Sequence, residues 1–219
     1  MKHTNIVVVF MVLFLTGLAQ PSLGQQGAAP PTLVIERSTQ RVLGILESHT
    51  EAGEAVSVTE LVEELLAALE PVVDFHSIAR AVMGRHGKGA TTAQIEAFSV
   101  IFRESLVSLY ARSFRAFEIR ETRVLDMPAA FEPATARKAT VRMEATTGDG
   151  KIFTLSYSMR RDGDGNWVVR NIIVDGINLG LTYMNQFDGA MERLGAVDEV
   201  ITQWPEEMGD RTVADEQMR

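Results

Sequence analysis

The spacing of apolar residues changes once along this chain, and that change restricts the fold more than any motif does. Up to Phe114 the apolar side chains recur every three or four residues, and beyond it they alternate. The first spacing matches the 3.6-residue turn of a helix, the second the two-residue repeat of a strand. Helices therefore come first and strands follow as a block. That segregation predicts α+β architecture, with helices packed on a curved antiparallel sheet of about four strands.

The helical part divides at its caps. Leu33 to Leu46 carries Val34, Val42, Leu43 and Leu46 in helical spacing, with Gly44 as a weak point. Ser57-Val58-Thr59-Glu60 is a capping box opening a helix through Leu61, Leu65, Leu66 and Leu69, which Pro71 ends. Asp74 caps a short helix with Phe75, Ile78 and Val82 on one face, and Gly84 suits its C-terminal turn. Glycines flank the link that follows, so this short helix is a candidate mobile flap. Thr91-Thr92-Ala93-Gln94 is a second capping box, opening the longest helix through Ile95, Phe98, Phe102, Leu106 and Leu109.

In the second part, Phe117 to Asp126 reads as a charged strand. Val141 and Met143 alternate with Thr140, Arg142 and Glu144, and Phe153, Leu155, Tyr157 and Met159 alternate with Thr154, Ser156 and Ser158. Trp167 to Val174 is the fourth strand. Gly148-Asp149-Gly150 and Asp162-Gly163-Asp164-Gly165-Asn166 supply the turns between them. Helical spacing returns from Asn178 through Tyr183, Phe187 and Met191 to Gly195. A last short helix holds Val197, Val200, Ile201 and Trp204, with Pro205 as its stop.

At the start, Lys2 and His3 precede an apolar run from Ile6 to Leu18, and Ser22 and Gly24 are small residues placed for cleavage after Gly24. This is the pattern of a secretory signal, with cleavage after Ala19 as the other option. The run is shorter than the roughly 20 residues a membrane span requires. The expected organisation is a signal peptide over 1–24, a flexible lead over 25–31, one domain over 32–205 and a disordered acidic tail over 206–219. The chain has no cysteine, so a secreted domain of this kind depends on its apolar core rather than on disulfides. A formal net charge of −8 argues against nucleic acid as a partner and against tight adsorption to anionic lipid.

Residues able to do covalent chemistry are scarce. His49, His76 and His86 stand in no metal-ligand spacing, so neither a metal nor a cofactor is expected. Asp162, Asp164 and Asn166 resemble the opening of a calcium loop. However, Trp167 replaces its glycine and Ile173 its closing glutamate, and a hairpin turn accounts for the run. There is no Gly-x-Ser-x-Gly elbow and no phosphate loop. Asp175 at the end of the fourth strand is the best lone acid. An isomerase-like enzyme with Asp175 as base and Tyr157 or Tyr183 as donor is the alternative to a non-enzymatic reading. Met83, Met143, Met159, Met184 and Met191 would suit the wall of an irregular acyl pocket, and equally an ordinary core.

Two separated blocks carry a resemblance to a known family. The first is Asp74-Phe75, Ile78-Ala79-Arg80, Val82, Gly84-Arg85-His86, Ala90-Thr91, Gln94, Phe98 and Phe102-Arg103. The second is Trp167-Val168-Val169, Asp175-Gly176-Ile177, Leu179, Tyr183 and Gln186-Phe187. In this order they resemble the MlaC family of periplasmic phospholipid shuttles, also known as toluene-tolerance auxiliary proteins, over about Ile35 to Trp204. The chain departs from the family at Gly87, where an aromatic is usual, at Asn171, often Asp, and at Met184, often Arg.

The resemblance implies a helix-covered sheet enclosing an apolar cavity and no enzymatic activity. It implies a periplasmic carrier that moves phospholipid between an outer-membrane lipoprotein–porin complex and an inner-membrane ABC transporter with an MCE-type ring. A hopanoid-associated relative of the same architecture widens the range of possible lipids. The expected lipid-binding residues are Phe98, Phe102, Leu106, Tyr110, Val141, Met143, Phe153, Leu155, Tyr157, Val169, Ile177 and Tyr183, with the acyl chains lying between the long helix and the sheet. Exposed charges on the Arg120–Arg123 strand and around Arg80 and Arg85 are candidate partner contacts.

Overall fold

The computed structural model describes residues 29–51, 57–114 and 119–209, and the side chains at 51, 110, 112–114 and 209 lie outside what it describes. The expected signal peptide, residues 25–28 of the lead, Phe117 and residues 210–219 of the expected tail also lie outside the described residues.

Helix α1 (Pro31–Glu51) starts two residues before the expected Leu33 and runs past Leu46. Proline suits a first helical turn, where no backbone N–H is needed. Gly44 is tolerated within it at a point where a Cβ would meet nothing within 4 Å. In α2 (Val58–Leu69) both halves of the capping box form: Glu60 N–H donates to Ser57 Oγ at 3.2 Å and Ser57 N–H to Glu60 Oε2 at 3.0 Å. In α3 (Phe75–Val82) the Asp74 cap accepts from Ser77 N–H at 3.0 Å. Gly84 then takes φ +53°, which a side chain rarely adopts. A single 3₁₀ turn (His86–Lys88) leads to α4 (Thr92–Phe114), where Thr91 and Gln94 make the second reciprocal cap.

The five-stranded sheet is an antiparallel meander of β1 (Ile119–Val124), β2 (Lys138–Thr147), β3 (Ile152–Arg161), β4 (Trp167–Val174) and β5 (Ile177–Asn178), in that order. The fifth strand was not expected. Asp175 and Gly176 both have positive φ, +46° and +85°, and form the two-residue loop of a tight hairpin onto β5. In β2 the inner row of Ala139, Val141, Met143 and Ala145 is buried while Lys138, Thr140 and Arg142 between them are exposed. A bulge between Ser158 and Met159 of β3 leaves Arg170 on β4 outside the pairing register. Such an extra residue re-aims a side chain, and here Arg170 Nη1 donates to Asp74 Oδ2.

Helix α5 (Leu179–Leu194) is capped by Asn178 and ends at Gly195, φ +76°. Helix α6 (Val197–Gly209) corrects two expectations, since Pro205 does not stop it and residues 206–209 are helical rather than tail. Proline here forfeits one i→i−4 bond. Trp204 and Met208, one turn apart and 0% and 2% exposed, hold the helix across it through burial on a common face.

Three apolar clusters fill the interior. The first joins α3, α4, α5 and α6 around Phe98, Phe102, Phe187 and Trp204, with Phe98 edge-on to Phe187 at 4.9 Å and to Trp204 at 5.0 Å. The second lies under the sheet. Its cover is Val34 and Ile35 of α1 with Met127, Phe131 and Ala136 of the β1–β2 connection, not the long helix expected against the sheet. Alternation identifies an apolar face but not its cover. Arg161 stitches that connection down, donating to Ala136 O at 3.1 Å and Pro133 O at 2.7 Å with its guanidinium 4.6 Å above the Trp167 ring. The third cluster joins α1, α2, α3 and α4 around Leu46, Leu65, Phe75 and Val107.

Candidate functional site: an apolar cavity beneath the long helix

Where the clusters fail to meet, a cavity of about 230 Å³ remains. Its walls are α4 (Phe102, Leu106, Val107, Ala111), β4 (Val169, Asn171, Ile172) and the start of α5 (Leu179, Gly180, Tyr183). Opposite them stand α1 (Val42, Leu46), α2 (Leu65, Leu69), Val73, and α3 (Phe75, Ile78). No lining residue is an Asp, Glu, His, Lys or Arg. Such a surface attracts hydrocarbon and offers little to an ion.

Two of these walls are joined by a short strap between α2 and α3. Asp74 N–H donates to Val169 O at 3.1 Å and Val169 N–H to Val72 O at 2.8 Å, a parallel bridge onto β4. The strap carries an ion pair at each end, Glu70 with Arg103 of α4 and Asp74 with Arg170 of β4. Partial burial pulls the Asp74 carboxyl upward. The Ser77 N–H and the Arg170 guanidinium outweigh this, and its pKa lies below the ordinary value of 3.8.

One corner of the cavity is polar but satisfied. Asn171 Oδ1 accepts from Gly180 N–H at 3.0 Å, and its Nδ2 donates to Asn178 Oδ1 at 2.9 Å. Asn178 Oδ1 also accepts from Leu181 N–H at 3.1 Å, so two asparagines together cap α5. A Cβ on Gly180 would lie 2.6 Å from Asn171 Oδ1, so glycine is what lets the amide approach.

The three departures from the family pattern have local explanations. A Cβ on buried Gly87 would stand 3.1 Å from Arg80 O and 3.2 Å from Met83 Cβ, leaving no room for an aromatic. Met184 Cγ occupies the space 3.1 Å from where a Cβ on Gly84 would be. Asn171 is the capping amide just described.

Among the expected lipid-binding residues, the cavity brings together Phe102, Leu106, Val169 and Tyr183. Phe98 is 0% exposed within the helical cluster. Val141, Met143, Leu155 and Tyr157 belong to the cluster beneath α1, where burial pushes the Tyr157 phenol up to about 12. Phe153 is half-buried with the Lys151 ammonium 4.3 Å from its ring centre, and Ile177 sits half-buried on β5 opposite Val174. The Tyr110 side chain lies outside the described set. Of the proposed flap, Phe75 and Ile78 reach the cavity, while Val82 is in the helical core. None of the five methionines offered as acyl-chain walls is among the lining residues. The walls supplied by α1 and α2 were missed, although Leu65 and Leu69 on one helical stripe were a usable signal.

The remaining polar candidates are committed elsewhere. Asp175 Oδ1 accepts from Thr154 N–H at 2.7 Å and Thr154 Oγ1 at 3.0 Å, holding the β4–β5 turn outside the cavity lining. Asp162 Oδ1 accepts from Asp164 N–H at 3.0 Å and Asn166 N–H at 2.8 Å, the internal bonding of a hairpin turn. The three described histidines each face a carboxylate: His49 with Glu64 at 3.4 Å, His76 with Glu96 at 3.4 Å, and His86 with Asp188 at 2.7 Å.

The comparisons with known proteins agree with this architecture. The chain matches the family described as MlaC protein over residues 36–206. It is 30% identical over 186 residues to the toluene tolerance protein ttg2D of Pseudomonas putida, covering 83% of this chain and 82% of that protein. Its fold is similar to that of a phospholipid-binding protein from Ralstonia solanacearum solved in complex with a phospholipid. That match has a TM-score of 0.68 at 23% identity and covers 83% of this chain and 98% of that one. With a family match that spans most of its length, on a sheet-and-helix frame around an apolar cavity, the chain belongs to the MlaC family.

Proposed function

We propose that this protein is a periplasmic phospholipid carrier that draws acyl chain into the cavity between α4 and β4. The observation that carries this is the cavity wall, apolar except at the satisfied Asn171 corner and without an ionisable acid or base apart from the Tyr183 phenol. Family membership supports it, as does the phospholipid held by the Ralstonia neighbour. Among the described residues no helix is long and apolar enough to cross a membrane. The two partners in this reading are an outer-membrane lipoprotein–porin complex and an inner-membrane ABC transporter with an MCE-type ring. Hydrocarbon transfer needs no catalyst, and Asp175, the acid an isomerase would use, is tied to Thr154.

The energetics suit a shuttle. Each methylene drawn from water into such a wall contributes about 0.8 kcal/mol. A bilayer interior offers nearly the same per methylene, so exchange is close to neutral and reversible. A cavity of 230 Å³ lies below the roughly 300–1,000 Å³ of ordinary ligand pockets. A whole diacyl lipid therefore requires the wall to give, and the α2–α3 side, joined to its neighbours through the strap, is the wall that moves in this reading.

The test is Leu106→Trp, which fills the cavity from the α4 side. The reading predicts a folded variant that is purified with much less phospholipid than wild type. Undiminished lipid in a folded Leu106→Trp protein would place the binding site elsewhere.

A further inference from the structure

A polar, solvated sheet face is ordinary in an antiparallel sheet, but the charge pattern on this one is not. The exposed row of β2 and its partners on β3 form the rungs Lys138–Arg160, Thr140–Ser158 and Arg142–Ser156. Lys138 and Arg160 stand directly opposite each other, an arrangement that disfavours the free sheet. Lysine is often placed on edge strands to prevent aggregation. That explanation reaches only Lys138, whose end of β2 lies beyond the β1 pairing, and not Arg160, which has strands on both sides. Lys138, Arg142 and Arg160 have no ion-pair partner among the described residues, whereas neighbouring Arg123 on β1 is paired with Glu144.

The rest of the molecule sharpens the contrast. The chain carries a formal net charge of −8. Two of its helices carry acids and no lysine or arginine: α2 with Glu60, Glu63 and Glu64, and α6 with Asp198, Glu199, Glu206 and Glu207. An acidic protein thus keeps three unpaired cations together on one exposed sheet face.

We propose that the outer face of β2 and β3 is a docking surface for an extended, carboxylate-rich segment of a partner protein. Lys138 and Arg142 lie four residues apart on one strand, about 13 Å at the rise of an extended chain. An extended partner with acids at every fourth residue has the same repeat. Between the cations lie only Thr140, Ser158 and Ser156, short side chains that let a partner approach and hydrogen-bond. An anionic bilayer is the less favoured occupant. These three rungs offer no apolar anchor, and the acidic helices would be repelled from an anionic lipid surface.

The test uses the full mature chain and a fluorescein-labelled oligoglutamate, read by anisotropy at low salt and by amide shifts of Thr140, Ser156 and Ser158. The triple variant Lys138→Glu, Arg142→Glu, Arg160→Glu is compared with Arg37→Glu, Arg41→Glu, Lys88→Glu, which has the same net charge. The expected result is a loss of about tenfold or more in affinity for the sheet variant, a small loss for the control, and weakening by salt in wild type. The triple glutamine variant of the sheet face, gentler on folding, is expected to fall between. Equal losses in both charge-reversal variants, or no peptide binding by wild type, would overturn the proposal. Binding to phosphatidylglycerol–phosphatidylethanolamine vesicles, lost in the sheet variant and without peptide binding, would overturn it in favour of a membrane surface. Bound phospholipid is measured in every variant, so failure of this surface is distinguishable from failure of the carrier reading.

Discussion

Asp74 has two roles in the strap, and the structure allows them to be separated. One carboxylate oxygen accepts from Ser77 N–H at 3.0 Å and caps α3, and the other accepts from Arg170 across the cavity wall. Asparagine caps a helix about as well as aspartate, so Asp74→Asn removes the charge pair and keeps the cap. The Asp74 and Arg170 side chains are 24% and 35% exposed, so the pair is partly screened. A hydrogen bond between charged groups contributes about 1.5–3 kcal/mol, and the lower end applies at this exposure. The expected loss is about 1.5 kcal/mol, which in a domain of this size lowers Tm by about 3–6 °C. Asp74→Ala should lose about 1 kcal/mol more, the contribution of the cap. The assay is urea unfolding of wild type, Asp74→Asn, Arg170→Met and the double variant, which gives the coupling directly. The pH dependence follows from the lowered pKa of Asp74. A carboxyl whose folded pKa lies below its unfolded value stabilises the fold above that unfolded value. The stability is lost as pH falls through the folded pKa. The gap between wild type and Asp74→Asn should therefore close below about pH 3.8, the ordinary value for this group. A coupling energy below about 0.3 kcal/mol, within the additivity of independent sites, would refute the argument that this pair holds the strap to β4.

Other expectations follow from the same structure. Gly180→Ala should cost about 1–3 kcal/mol by forcing the Asn171 amide off the α5 cap, seen as a lower Tm that Asn171→Ala partly relieves. Phe102→Ala, at 0% exposure and with Tyr183 edge-on at 5.6 Å, should cost about 3–5 kcal/mol in urea unfolding. Met208→Ala should destabilise by about 2–4 kcal/mol if the last turn of α6 is part of the core, and no change would return residues 206–209 to the tail. Leu155→Trp should leave lipid content near that of wild type, since Leu155 packs under the sheet, in contrast to Leu106→Trp.

Local signals in the sequence carried far. Ser57 with Glu60, Thr91 with Gln94 and Asp74 with Ser77 are caps made by residues within one turn of each other, so their chemistry is readable without knowing the fold. The alternation in β2 is equally local. What escaped depends on distant residues. The bulge that frees Arg170 is a property of two strands together. β5 is only two residues long and shows no alternation of its own. Pro205 reads as a stop in sequence because the burial of Trp204 and Met208 that carries α6 past it is tertiary. Cavity walls are the hardest case. Leu106 and Phe98 are both apolar residues on one helix, and only the packing decides that one faces the cavity and the other Phe187. Family resemblance supplied what the periodicity could not, namely that a cavity was to be expected at all.

The most direct measurement of the central claim is native mass spectrometry of protein purified from the periplasm, followed by organic extraction of whatever it releases. The carrier account predicts a stoichiometric adduct with the mass of a diacyl phospholipid, displaced from the protein when its fold is lost. A protein that carries no adduct, and takes up no phospholipid when incubated with donor vesicles, would contradict it.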